Sequence, residues 1–261
     1  MSSLAVLQVV ALRTWRATMH RPVHLTFSFF QPIFWLLFFG TLMQRYPVEL
    51  LPPGVDYRSF VLPGICAMTV LLGASQSGIG LIRDFQNGFL QRMLLTPASA
   101  LALLGGKVLA DSLRLVVQAL LILGLGMALG LHVELAVVPL LAGVLALLIF
   151  ALAFCSLSCM IALRARRQES MAAFVHLVNL PVFFTSTALV QRSHVPESLQ
   201  TIMALNPLSR AVDILRSATL TGTADVTALS WGILLGLAGL FFALAAMSMA
   251  SAVTVSAWDS R

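Results

Sequence analysis

An all-α, polytopic membrane fold is predicted by three observations on this sequence: its composition, the length of its apolar runs and the side on which its basic residues fall. Of 261 residues, 59% are hydrophobic and only 10% are charged, and the mean hydropathy is +0.95. Water-soluble globular domains are not built from so few charges. Hydrocarbon about 30 Å thick takes roughly 20 apolar residues per helix. Six runs reach that length with their charges mainly at the ends: residues 23–43, 59–80, 108–130, 135–163, 171–190 and 229–253. None shows the ten-residue alternation of a barrel strand, and lipid offers the backbone no other partners, so each reads as a helix. Arg13, Arg16, Arg21, Arg83, Arg92, Lys107, Arg164, Arg166, Arg167 and Arg261 fall on one side of these spans. Arg45, Arg58, Arg192, Arg210 and Arg216 fall on the other. The richer side is cytoplasmic, which places both termini there. The net charge of +6 then follows from topology and anionic lipid, and a nucleic-acid partner is unnecessary.

The elements follow in order. Residues 1–22 read as an interfacial helix, or elbow, lying in the membrane plane: Arg13, Arg16 and His20 share one face, and Leu12, Trp15 and Met19 another. A basic flank that merely anchors topology is the alternative. The basic residues follow the apolar run 4–12 and do not precede it, so signal-peptide cleavage is not expected. Between the second and third spans, residues 83–107 are too polar to cross and too patterned for a plain connector. A Gly-containing turn, alternating polar and apolar positions, a Thr-Pro break and a Gly-Gly pair predict a docked surface helix.

The third span opens with Lys107, Asp111, Arg114 and Gln118 on one helical face. This set could line a translocation route or relay ions. It could also be a salt-bridged face at the membrane edge, with Lys107 and Arg114 reaching head groups. The last is favoured, because the set stays within the first turns. Cys66, Cys155 and Cys159 all lie inside spans; the latter two share a face, but no His or carboxylate nearby in sequence completes a ligand set, so no metal is expected. Span five carries Asn179, Pro181, Thr185, Ser186 and Thr187, which read either as a kink beside a pathway or as small-residue packing.

Residues 191–228 predict two short outer-face helices. Pro196–Glu197 opens the first, with Leu199, Ile202 and Met203 on one face. Asn206–Pro207 forms an N-cap and N1 pair for the second. There Leu208, Ala211, Val212 and Leu215 make an apolar stripe opposed by Arg210, Asp213, Arg216 and Ser217. The transmembrane domain thus covers 23–253, and residues 254–261 form a cytoplasmic tail. Enzyme signatures are missing: there is no H-E-x-x-H, no G-x-S-x-G, and Gly106–Lys107 is followed by Val108 without the glycine a phosphate loop needs five residues earlier. No catalytic residue is assigned. If the chain serves active transport, ATP is handled elsewhere.

Two blocks carry a family resemblance. Gly88–Phe89–Leu90, Arg92–Met93–Leu94–Leu95–Thr96–Pro97 and Gly105–Gly106–Lys107 form the first; Asn206–Pro207–Leu208, Ala211–Val212–Asp213 and Leu215–Arg216 form the second. In this order and on opposite faces they resemble type-2 ABC exporter permeases of the daunorubicin-resistance-like group. The resemblance implies the membrane subunit of an ATP-driven exporter in a prokaryotic inner membrane, moving a drug, lipid or glycan-linked substrate outward. It further implies a separate ABC ATPase dimer that binds ATP and Mg, with no cofactor in this chain, and a second permease copy or homologue alongside.

The ATPase would dock on Asp84, Gln86, Gly88, Phe89, Leu90, Arg92, Met93, Leu94, Thr96 and Pro97, with Arg13 and Arg16 of the elbow against it. Asp111, Arg114, Asn179 and Thr185 are candidates for the route, while Asn206, Pro207, Asp213 and Arg216 belong to helices shielding its exit. One departure concerns docking: such permeases commonly carry a glutamate where this chain has Gln86–Asn87, leaving Asp84 to supply the charge. Two other functions remain open at this stage, an ion-coupled carrier working through Asp111 and Arg114, and a non-transporting membrane assembly factor.

Overall fold

The computed structural model describes residues 22–43, 51, 55–89, 92, 99–165, 167–223 and 227–258, with side chains from Phe30 to Ser251. Helix α1 is Pro22–Leu42, α2 Tyr57–Gln86, α3 Ala100–Ala128 and α4 Val137–Ala165. A broken run follows: α5 Gln168–Phe174, a π-helical turn Val175–Asn179, and α6 Leu180–Phe184. Helix α7 is Glu197–Leu205 and α8 Pro207–Arg216, the latter continuing as a π-helical turn to Thr221. Helix α9, Ala228–Trp258, closes the chain. No strand occurs among the described residues. The elbow, with Arg13 and Arg16, lies outside them; of the expected tail 254–261, residues 254–258 continue α9 as helix and 259–261 lie outside the described residues.

Four helices are long and apolar enough to cross a membrane: α2, α3, α4 and α9 from Ala228 to Ser251. The chain is a multi-pass membrane protein. The other two expected spans correspond to α1, described as an apolar helix over Phe30–Leu42, and to the broken run α5–α6.

Helix α2 occupies the centre and is buried on nearly all sides between α1, α3, α4 and α8. Between helices in lipid there is no hydrophobic driving force, so close backbone approach through small residues does much of the packing. Two glycines of α2 show this. A Cβ on Gly64 would lie 2.2 Å from the carbonyl oxygen of Ala188, and one on Gly78 would lie 2.6 Å from that of Ser158. Around these contacts Phe60, Ile65, Leu71, Leu115, Leu147, Phe150, Leu208 and Leu215 are fully buried.

The structure corrects three expectations. The ends of residues 83–107 belong to the neighbouring long helices: α2 runs on through Arg83, Asp84 and Gln86, and α3 already begins at Ala100, while Phe89 and Arg92 between them are again helical. The charges end the apolar run but not the helix, since each is compatible with helical backbone. Span five does not run as a regular helix to residue 190. Pro181 has no N–H to give the carbonyl four residues earlier, the Leu180 N–H reaches back five residues to Val175 O, and helix stops at Phe184. Finally, α8 is not an amphipathic helix with one wet face. It packs against α2, α4 and α9, and Ser209 and Arg216 are buried along with its apolar stripe.

Candidate functional site

Two polar assemblies lie on α2, one toward the connection between α2 and α3 and one at the opposite end. At the first, α2 ends at Asn87, whose N–H bonds Arg83 O at 2.9 Å. Gly88 follows at φ 67, a left-handed conformation that favours glycine. The exposed Arg92 clamps this turn, its Nε donating to Gly88 O at 3.3 Å and Nη2 to Asn87 O at 3.1 Å. Helix α3 then starts behind Ser99, whose hydroxyl accepts from the Ala102 N–H at 3.2 Å, an ordinary N-cap that the serine itself could have signalled. Asp84 and Gln86 therefore sit on the last turn of α2, Gly88 in the turn, and Phe89 where helical backbone resumes. Leu90, Met93, Leu94, Thr96 and Pro97 lie outside the described residues.

Above this turn, Lys107 and Asp111 are 3.1 Å apart and both buried, 8% and 5% exposed. Asp111 also accepts from the Ser77 hydroxyl of α2 at 2.6 Å, and Ser77 Oγ lies 3.4 Å from Cys159 Sγ of α4. Lys107 does not reach head groups, contrary to the membrane-edge reading: its amine lies over Gly80, where an added Cβ would come within 3.2 Å of it. Gln118 is buried on the same face and Arg114 half-buried. Farther along α2, Asn179 donates to Ser75 Oγ at 2.7 Å and to Leu71 O at 3.3 Å. Ser158 donates to Ser75 O at 3.2 Å and accepts from the Gly78 N–H at 3.1 Å. Asp111 and Asn179 are thus enclosed between helices of the bundle. Nothing in the spacing of α2 singled out Ser75 or Ser77, because their partners are remote in sequence.

The second assembly is built on α8. Asn206 caps it by accepting from the Leu208 N–H at 2.9 Å, as the Asn-Pro pair predicts, and donates to Val182 O at 2.7 Å and Thr185 Oγ1 at 3.0 Å. Thr187 donates its hydroxyl to Asp213 at 2.7 Å and its N–H to Ser209 Oγ at 3.1 Å. Arg216 Nε donates to Phe60 O at 3.2 Å, and Nη2 to Thr187 O at 2.7 Å and Ala188 O at 3.2 Å. The guanidinium lies 3.9 Å over the Phe60 ring and 3.7 Å from Asp213. Burial pulls it below its ordinary value, to about 10, while Asp213 opposes the change, so it stays charged at neutral pH. Tyr57 adds a bond from its hydroxyl to Leu189 O at 3.0 Å. Start of α2, turn 185–190 and α8 form one knot, which joins Thr185, Asn206, Asp213 and Arg216. Asp111, Arg114 and Asn179 lie elsewhere.

A sequence profile of the ABC-2 type transporter family matches residues 5–220, taking in both assemblies. The chain belongs to the ABC-2 type transporter family. Among its relatives, a protein assigned as a transport permease, ycf38, of Porphyra purpurea is 30% identical over 233 residues, 87% of this chain and 78% of that one. Its counterpart in Cyanophora paradoxa is 30% identical over 197 residues, 75% and 68% of the two chains. The daunorubicin resistance ABC transporter permease protein DrrB1 of Streptomyces coeruleorubidus is 28% identical over 213 residues, 80% and 74%. Within this ABC-2 family member the profile stops one residue short of the end of the π-helical turn after α8, so α9 lies beyond the matched region.

Proposed function

We propose that this chain is the permease subunit of an ATP-driven exporter, with both termini in the cytoplasm of a prokaryotic inner membrane. A separate ATPase dimer, which binds ATP and Mg, docks on the connection between α2 and α3. A second permease copy or homologue completes the route, and the substrate is hydrophobic or amphipathic. The observation that carries this reading is the geometry of that connection. Two long helices continue past their apolar segments toward the connection 87–99, whose first turn is fixed by Gly88 and Arg92, so a push on that connection acts along both helices. Family membership and the drug-resistance name of one relative support export of such compounds. An ion-coupled carrier is less well supported, because Asp111 is already held by Lys107 and Ser77 and takes the place of a fixed tie.

Co-expression with an ABC ATPase subunit from the same organism tests the reading. The purified permease is expected to retain that subunit and to drive ATP-dependent daunorubicin movement in vesicles. Daunorubicin movement driven by an ion gradient without ATP would overturn it.

A further inference from the structure

We propose that Asp111 is a positioning residue that locks α2 to α3 near the connection they share, so that the two helices move as a single lever. This rests on the docking reading above. The tie is the 2.6 Å bond from Ser77 Oγ to the Asp111 carboxylate, made between two side chains 2% and 5% exposed. Apolar helix contacts can slide by small steps, whereas a short bond to a charged acceptor fixes both rotation and axial register. A lone carboxylate at this depth would be expensive, and Lys107, one turn earlier on α3, neutralises it at 3.1 Å.

The lysine lies between the helices over Gly80, where an added Cβ would come within 3.2 Å of its amine. Its position suits transmission. Ser77 stands nine residues before the end of α2 at Gln86, about 14 Å along the axis. Lys107 stands seven residues after the start of α3, about 10 Å along it. The brace therefore crosses the two helices two to three turns from the connection, where unequal movement of their ends would otherwise be lost as slippage. Cys159 of α4 touches Ser77 and brings a third helix to the same point.

The test uses the full complex of permease and ATPase in vesicles, with daunorubicin as the transported probe. It also uses distance measurements between spin labels at the exposed positions 86 and 101, with a sample lacking introduced cysteines as background. Ser77→Ala is the lead variant because it leaves the Lys107–Asp111 pair intact. It is expected to lower drug moved per ATP about three- to tenfold, with ATPase rate nearly unchanged, and to broaden the label distances. The double variant Lys107→Met/Asp111→Asn keeps an acceptor for Ser77 and is expected to retain the narrow distribution.

A Ser77→Ala complex with wild-type transport per ATP and wild-type distances overturns the proposal. So does a proportional loss of both activities with unchanged distances, which marks a merely structural residue. If the wild-type permease retains no ATPase, the docking reading fails by itself, and the label distances still judge the tie.

Discussion

Replacing Arg216 by methionine keeps the volume and removes the charge, and the structure sets the size of the effect. Three donated bonds are lost, to Phe60 O, Thr187 O and Ala188 O, along with the contact over the Phe60 ring. Bonds to charged groups contribute about 1.5–3 kcal/mol each, without adding fully, and the cation–π contact about 1–2 kcal/mol when desolvated. The Asp213 pair counts for little: it is 3.7 Å long and Asp213 is 45% exposed, so it falls in the range of surface pairs, about 0–1 kcal/mol. A total near 4 kcal/mol is expected, less than the plain sum because desolvation of the buried guanidinium offsets part of it. For a chain of this size that is a fall in melting temperature of roughly 8–16 °C.

The protein carries its own reporter. Cys66, Cys155 and Cys159 are free and buried, so a thiol-reactive dye in detergent becomes fluorescent only as the bundle opens. Arg216→Lys should lose most of the same stability, since one ammonium cannot span carbonyls on both sides of the knot. An Arg216→Met melting temperature within about 2 °C of wild type would show that the knot does not hold this end of the bundle together.

Gly64→Ala puts a Cβ 2.2 Å from Ala188 O and should lower stability by about 3 kcal/mol or prevent assembly; Gly124→Ala, which meets nothing within 4 Å, should be neutral or gain about 0.5–1 kcal/mol by helix propensity. Both are read by the same dye assay. Asn206→Ala removes the α8 cap and two bonds to the α6 end and should cost about 1–2 kcal/mol. Arg92→Glu releases the turn after α2 and is expected to abolish ATPase retention without changing the melting temperature; retention at the wild-type level would move the docking surface elsewhere. Ser77→Ala combined with Arg216→Lys should be additive in stability, as sites far apart are, yet non-additive in drug moved per ATP.

Much of this arrangement was legible in the sequence, and what was not shares one cause. The apolar runs marked α2, α3, α4 and α9, and Asn206–Pro207 marked the start of α8. Pro181 marked a break, though neither the π-helical turn before it nor the stop at Phe184 could be read from one residue. Hydropathy ends where charge begins, so it cut α2 short of Arg83, Asp84 and Gln86, residues that continue a helix without strain. A helical wheel put Arg216 on the wet side of α8 because its wheel neighbours are polar. Its partner Phe60 is 156 residues away, and no local pattern carries that contact. Ser77 was silent for the same reason, since a serine in a span reads as packing until Asp111 is seen opposite.

Both assemblies share α2, and that is the physical reason to treat them together. Arg216 grips the carbonyl of Phe60 at one end and Asp111 grips the hydroxyl of Ser77 at the other, seventeen residues or about 26 Å apart along the axis. Gly64, between them, and Gly78, next to Ser77, bring α2 backbone to backbone with the turn at Ala188 and with α4. Bending or sliding α2 within that stretch would break close contacts that have no slack, because densely packed interiors shift between discrete arrangements and do not deform smoothly. A displacement imposed at Gln86 therefore has two outlets, rigid movement of α2 with α3 and the α8 knot, or rupture of the knot. The first leaves the knot intact, and the three bonds of Arg216 are what favour it over the second.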